Sequence, residues 1–228
     1  VAKALRRQTV QDFEWLVVAP QDLFISIDRE IGHDDPTFIF VPEPPKNEGD
    51  YWCVYKAYNE AIRQATGELI VSIQDFTYFN HDTLDKFLFH YQQEPKTIVT
   101  GVGNKYTDES WLSKLWQDPR ERDDMGTYYQ CYYNDIELNL ASFSREAFYA
   151  VGGFDESLDA WSSLCGLDVL ARLNIIGGWD FKINQTIKSY SLEHGRLPDW
   201  EENSPFKGVW QGKLEEYIKQ PVLKFLNQ

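Results

Sequence analysis

The chain has 228 residues, 43% of them hydrophobic and 15% aromatic, enough apolar material for one large core or two small ones. A formal net charge of −14 argues against a nucleic-acid partner and repels phosphate-bearing ligands at long range, so a phosphate site here needs a cation or a local cluster of Lys and Arg. Cys53, Cys131 and Cys165 are far apart with no CxxC pair, which reads as reduced thiols, and no apolar run is long enough to span a membrane.

Val rather than Met stands at position 1 and no signal-peptide pattern follows, so the chain reads as a fragment without a leader. Residues 14–18 and 37–41 are the first two expected strands. The proline-rich stretch PEPPKNEG (42–49) is a loop, after which Asp50 is expected to cap a helix. Tyr51, Tyr55, Tyr58, Ile62 and Ala65 form the apolar stripe of that helix, and Gly67 ends it. Leu69 to Ile73 reads as a buried strand that stops at Gln74-Asp75. A short helix from Thr83 to Tyr91 and a strand at 97–101 follow.

The alternation implies a mostly parallel sheet with helices on both faces, in which ligands bind beyond the carboxyl ends of the strands. Asp75 stands at such an end. Regularity fades between Lys105 and Asn134, a stretch dense in Trp, Tyr, Asp and Arg. A strand is expected at 137–143, then a helix capped by Ser144, running to Val151 and ended by Gly152-Gly153. A helix at 166–176, strands at 180–184 and 186–192, and an amphipathic tail helix interrupted at Pro221 complete the pattern.

Four segments, in order, resemble inverting, family-two-like glycosyltransferases of the GT-A fold. They are QTVQDFEWLVV, AYNEAIRQATGELIVSIQD, FSREAFYAVGGFDESLD and GLDVLARLNIIGG, and together they span roughly residues 1 to 195. The resemblance implies a GT-A (Rossmann-like) α/β fold that lacks the usual first strand. It divides the chain into a nucleotide-sugar half (1–104), an acceptor and catalytic half (105–200) and a C-terminal extension (201–228). The implied activity is metal-dependent, inverting transfer of a sugar from a nucleotide-diphosphate donor to a glycan or other hydroxyl acceptor. The implied setting is cytoplasmic, in the building of a surface polysaccharide or glycan.

The resemblance also implies roles for single residues, each of which has a plainer alternative. Asp75, standing where the family has Asp-x-Asp, would hold Mn²⁺ or Mg²⁺ with the diphosphate; otherwise it caps the turn after its strand. His194 would be a further metal ligand, or a surface histidine. Asp168, in the first turn of its helix, would be the base that takes the acceptor proton; its alternative, which does not exclude the first, is an ion pair with Arg172. Gln74, Glu43, Lys46, Asn59, Gly153, Asp155 and Arg196 are expected on the donor side. Glu43 or Asp22 would replace the family's Asp-Asp, where this chain has Ala19-Pro20. Lys46 and Arg196 are alternatively solvated charges, and the glycines a helix stop. From residue chemistry rather than from the resemblance, Trp116, Asp118 and Arg120, in an aromatic excursion that also holds Trp111, Tyr128, Tyr129, Tyr132 and Tyr133, are expected to bind the acceptor, although packing under a long loop explains any one ring better. The rival reading is a catalytically impaired carbohydrate-binding or scaffold domain of the same fold. A nucleotidyltransferase is disfavoured because no glycine-rich phosphate loop is visible.

Overall fold

A computed structural model of the chain describes residues 1–31, 35, 37–161, 166–192 and 208–226. In chain order the elements are α1 (Ala2–Leu5), β1 (Trp15–Ala19), α2 (Phe24–Ile31), β2 (Phe38–Pro42), α3 (Val54–Gln64), β3 (Leu69–Ile73), β4 (Tyr78–Phe79), α4 (Thr83–Gln93), β5 (Thr97–Tyr106), β6 (Lys114–Gln117), β7 (Tyr128–Gln130), β8 (Leu140–Ser144), α5 (Arg145–Val151), α6 (Leu167–Ile176), β9 (Asp180–Leu192) and α7 (Val209–Lys219). They divide into two compact units. The first comprises Val1–Gln11, Leu69–Ala147 and Ile176–Leu197; the second comprises Asp12–Glu68, Phe148–Ile175 and Pro198–Gln228.

The first unit is built on a seven-stranded sheet of order β3-β8-β5-β9-β4, with β6 added to β5 and β7 to β9. Within it only β5 and β9 run parallel; β3–β8, β5–β8, β5–β6, β7–β9 and β4–β9 are antiparallel. The sheet is therefore mixed, not mostly parallel as the sequence pattern implied. A parallel return needs a long crossover, usually helical. Between β5 and β8 the chain has only the short strands β6 and β7 and single 3-10 turns, and β8 comes back reversed. The run Leu69–Ile73 is also not a fully buried central strand: it ends the sheet, with Ser72 buried and its apolar neighbours half-buried.

Two expected strands near residues 180–192 are one strand, β9, whose pairing with β5 shifts register between Thr100 and Val102. The shift depends on Gly101: a Cβ there would lie 2.5 Å from the Ile187 carbonyl oxygen, so the backbones can close only over glycine. Phe79, Phe87, Ile98, Val102, Phe143 and Phe181 are buried in this unit.

In the second unit β1 and β2 form a parallel pair in register from Trp15↔Phe38 to Ala19↔Pro42. Phe154 is the hub of its core, with Tyr58 stacked at 4.9 Å, Phe148 at 5.6 Å and Tyr55 edge-on at 6.0 Å. The capping of α3 departs from the local pattern. Its first amides, those of Tyr55 and Lys56, donate to the carboxylate of Asp159 at 2.9 and 3.1 Å, about a hundred residues away in sequence. Asp50, the expected cap, instead accepts from the Asn47 amide and pairs with the buried Lys56 ammonium. Ser144 does cap α5, accepting from the Ala147 amide at 3.3 Å. Gly152 and Gly153, at φ +74° and +87°, end it in the left-handed region. The tail helix α7 stops at Lys219, two residues before Pro221.

Candidate functional site

In the first unit the feature that carries chemistry is the exit of β3. The Thr77 amide donates to the Gln74 carbonyl at 3.1 Å, making residues 74–77 a tight turn, and the Gln74 amide donates to Asn139 O. Asp75 stands exposed on this turn; one of its oxygens accepts from the next amide, that of Phe76, at 3.1 Å, and its charge acts on the Val1 ammonium. Gln74 beside it is half-buried. An exposed carboxylate is a fitting oxygen donor for a hard divalent cation. It is one ligand and not a cage, since no group of three or more His, Cys, Asp or Glu among the described residues is arranged to hold an ion.

The residues expected to bind an acceptor behave differently from one another. Trp116, on the fully exposed strand β6, is open to solvent. Asp118 is buried, and both of its oxygens are occupied: one accepts from the Arg120 amide and Nε at 2.9 Å, the other from the Gly103 amide at 2.9 Å and from Arg120 Nη2. Burial pushes the Asp118 pKa up, but Arg120 and the two amides outweigh it and hold the carboxyl below its ordinary value. Arg120 also donates to the Asp135 carbonyl and pairs with Glu137 at 3.1 Å. The two side chains thus fasten a loop to β5.

In the second unit the GGFDE segment is held from below by α6. Asp168 and Arg172 form the i,i+4 ion pair at 2.7 Å, both side chains at 0% exposure. Asp168 Oδ2 also accepts the Asp155 amide at 2.8 Å. Arg172 donates to the Val151 carbonyl at 2.6 Å and to the Gly153 carbonyl at 2.5 Å. Burial drives the Asp168 pKa up despite the adjacent guanidinium, and its Oδ1 has no hydrogen-bond partner among the described residues. Asp155 is covered in turn by α7. Its carboxylate accepts from Tyr217 Oη at 2.8 Å and from Ser157 Oγ at 2.7 Å, and pairs with Lys213 at 3.1 Å. The Arg172 guanidinium lies over the Tyr217 ring at 5.4 Å. Burial raises the Asp155 pKa, but these partners hold it below its ordinary value.

Asn59, Gly153, Glu43 and Lys46, also expected on the donor side, make their contacts within this unit. Asn59 is fully buried; its Oδ1 accepts from the Phe154 amide at 2.8 Å, and its Nδ2 donates to the Phe154 carbonyl at 3.0 Å and to Glu156 at 2.8 Å. A Cβ at Gly153 would lie 2.6 Å from that Asn59 oxygen, so this glycine serves close packing of the turn on α3. Glu43, at the end of β2, accepts from the Cys53 thiol at 2.6 Å, and burial beside this carboxylate pushes the thiol pKa up to about 12. Cys53 and Cys131 are free thiols. Lys46 is exposed and donates to the Tyr51 carbonyl at 3.0 Å. His194 and Arg196 lie outside the described residues.

Tyr217 and Lys213 carry no motif and were not legible in the sequence. Trp111 was noticed there only as one aromatic among many.

No protein-family profile matches the sequence, and no curated protein matches it. Solved structures do. The chain superimposes on S. aureus TarS 1-349 in complex with UDP-GlcNAc with a TM-score of 0.69 at 12% identity, covering 99% of this chain and 65% of that one. TarS 1-349 with UDP gives 0.67 at 14%, covering 99% and 64%. GalNAc-T7 with UDP, GalNAc and Mn²⁺ gives 0.60 at 12%, covering 95% and 44%. The fold is that of the GT-A glycosyltransferases. The chain spans less than two thirds of the length of these structures. Among the described residues no helix is long and apolar enough to cross a membrane.

Proposed function

We propose that the chain is an inverting, family-two-like glycosyltransferase that moves a sugar from a nucleotide-diphosphate donor to a hydroxyl acceptor. The observation that carries this reading is the exposed Asp75 at the exit of β3, in a fold shared with structures that hold UDP, UDP-GlcNAc, or UDP with Mn²⁺. Asp75 is the residue that would hold a divalent cation, whose chemistry when bound is to neutralise charge developing on the departing diphosphate. This also answers the charge problem: a protein at −14 accepts a diphosphate more readily when a cation accompanies it. The free thiols suit a cytoplasmic setting, where activated sugars are made.

In this reading Asp168 and Arg172 brace the GGFDE turn. The alternative role for Asp168, proton acceptor in the transfer, is favoured by its unbonded Oδ1 and raised pKa, and requires α7 to lift away from Asp155. A second reading of the whole chain, a carbohydrate-binding domain that has lost catalysis, is favoured by the sealed position of Asp168 and the single carboxylate at 75.

Calorimetric titration with UDP, with and without Mn²⁺, tests the proposal. UDP is expected to bind at least tenfold more tightly with Mn²⁺, and Asp75→Asn to abolish the difference without changing thermal stability. Binding that ignores both the metal and the substitution would remove the metal-dependent reading. Hydrolysis of a donor sugar nucleotide by the purified protein separates the transferase from the binding domain.

A further inference from the structure

Just beyond Asp75 the first unit carries an aromatic cluster that the donor chemistry above does not use. Trp111, in the loop between β5 and β6, stacks on Tyr78 at 5.7 Å and 20°; Tyr106 meets it edge-on at 5.5 Å and Tyr190 lies tilted at 5.9 Å. Tyr106 is buried, whereas Trp111, Tyr78 and Tyr190 are half-exposed.

The backbone of Trp111 is unusual. At φ +58° it is the described non-glycine residue with a left-handed conformation, which a bulky side chain rarely adopts. The loop is shaped by Asp108, which accepts the Ser110 amide on its side chain at 2.8 Å and the Trp111 amide on its carbonyl at 3.3 Å. A smaller residue would suit that backbone better, so the indole is held there by its ring contacts. An outlier of this kind points to a use for the side chain.

We propose that Trp111, flanked by Tyr78 and Tyr190, is a stacking platform for a pyranose ring of a carbohydrate acceptor. Three observations support this class of ligand. One indole face is taken by Tyr78, and the half-exposed remainder of the cluster is aromatic surface of the kind that suits the C–H face of a pyranose. Tyr78 adds a phenol that a sugar hydroxyl can pair with and a lipid chain cannot use, while the Tyr190 side chain is fixed by a hydrogen bond to Asn80. The platform also lies near the cation ligand: Tyr78 follows Asp75 by three residues, which keeps their Cα atoms within about 10 Å. This assignment rests on the transferase reading for its place in a reaction. It moves the acceptor contact from Asp118 and Arg120, which are engaged with each other, to Trp111.

The test is pyranoside binding read at Trp111 by NMR of the indole N–H resonances, the Trp111 signal being assigned as the one missing in Trp111→Phe. Methyl glucoside, methyl galactoside and methyl N-acetylglucosaminide are the probes, with sorbitol as the open-chain control. At least one pyranoside is expected to shift the Trp111 signal, sorbitol none, and Trp111→Ala to weaken that binding at least tenfold. Should Trp111→Ala fail to fold, saturation transfer from the aromatic protons of the unaltered protein to the pyranoside ring C–H protons decides the matter. No shift and no transfer with any of the three, or undiminished binding by a folded Trp111→Ala, overturns the platform. UDP titration of the same samples keeps the outcomes separate. UDP binding without a pyranoside response sinks only the platform, and a pyranoside response without UDP binding sinks only the transferase reading.

Discussion

Asp168→Asn distinguishes a brace from a base. The substitution removes one charge of a pair whose side chains are both at 0% exposure, leaving the Arg172 guanidinium buried against two carbonyls and a tyrosine ring. Breaking a buried pair in this way costs about 3–5 kcal/mol, because the remaining charge is uncompensated. The bonds from Arg172 to Val151 and Gly153 persist, and an asparagine oxygen still accepts from the Asp155 amide, which puts the expected loss near the lower end, about 3 kcal/mol. In a chain of this size each kcal/mol moves Tm by about 2–4 °C, so a fall of roughly 6–12 °C is expected. Thermal melts by circular dichroism and urea titration by tryptophan fluorescence measure it. The double variant Asp168→Leu/Arg172→Met removes both charges and is expected to recover part of the loss, since a hydrophobic pair of similar volume often replaces a buried ion pair at little cost. If Asp168→Asn instead melts within about 1 kcal/mol of the parent while donor turnover collapses, the brace is wrong and the residue is the proton acceptor.

Asn59→Ala leaves the buried amide and carbonyl of Phe154 without partners, for an expected loss of about 2–4 kcal/mol by urea unfolding; normal stability with lost UDP affinity would mark Asn59 as a donor ligand instead. Gly152→Ala brings a Cβ to 1.8 Å of the Leu223 carbonyl oxygen at a φ of +74°, and is expected to cost at least about 2 kcal/mol and to expose residues 209–226 to protease; unchanged proteolysis would refute the docking of that segment on the turn. Asp159 titrates near pH 6 in the folded protein, raised by burial from its ordinary 3.8, so its favourable contribution is complete below about pH 4 and is lost as pH rises to about 6. The stability of the parent relative to Asp159→Asn is expected to fall by up to about 3 kcal/mol across that range, and a flat difference would contradict the assignment.

What the sequence determined by itself was local. Apolar periodicity and turn residues are read within a few positions, and they placed most of the strands, the cap at Ser144, the stop at Gly152-Gly153 and the i,i+4 pairing of Asp168 with Arg172. The exposed carboxylate after β3 was equally legible, because a polar residue ending an apolar run is a local signal. Strand direction was not, since a strand has the same side-chain pattern whichever way it runs, and the reversed return of β8 made the sheet mixed. Nor was the partner of each polar side chain. Asp159 caps a helix about a hundred residues away, Asn59 serves Phe154, Asp118 is tied to Arg120, and Tyr217 closes over Asp155. A buried polar group must find a partner wherever the fold brings one, so tertiary packing decided which candidate residues face solvent and which hold the structure together.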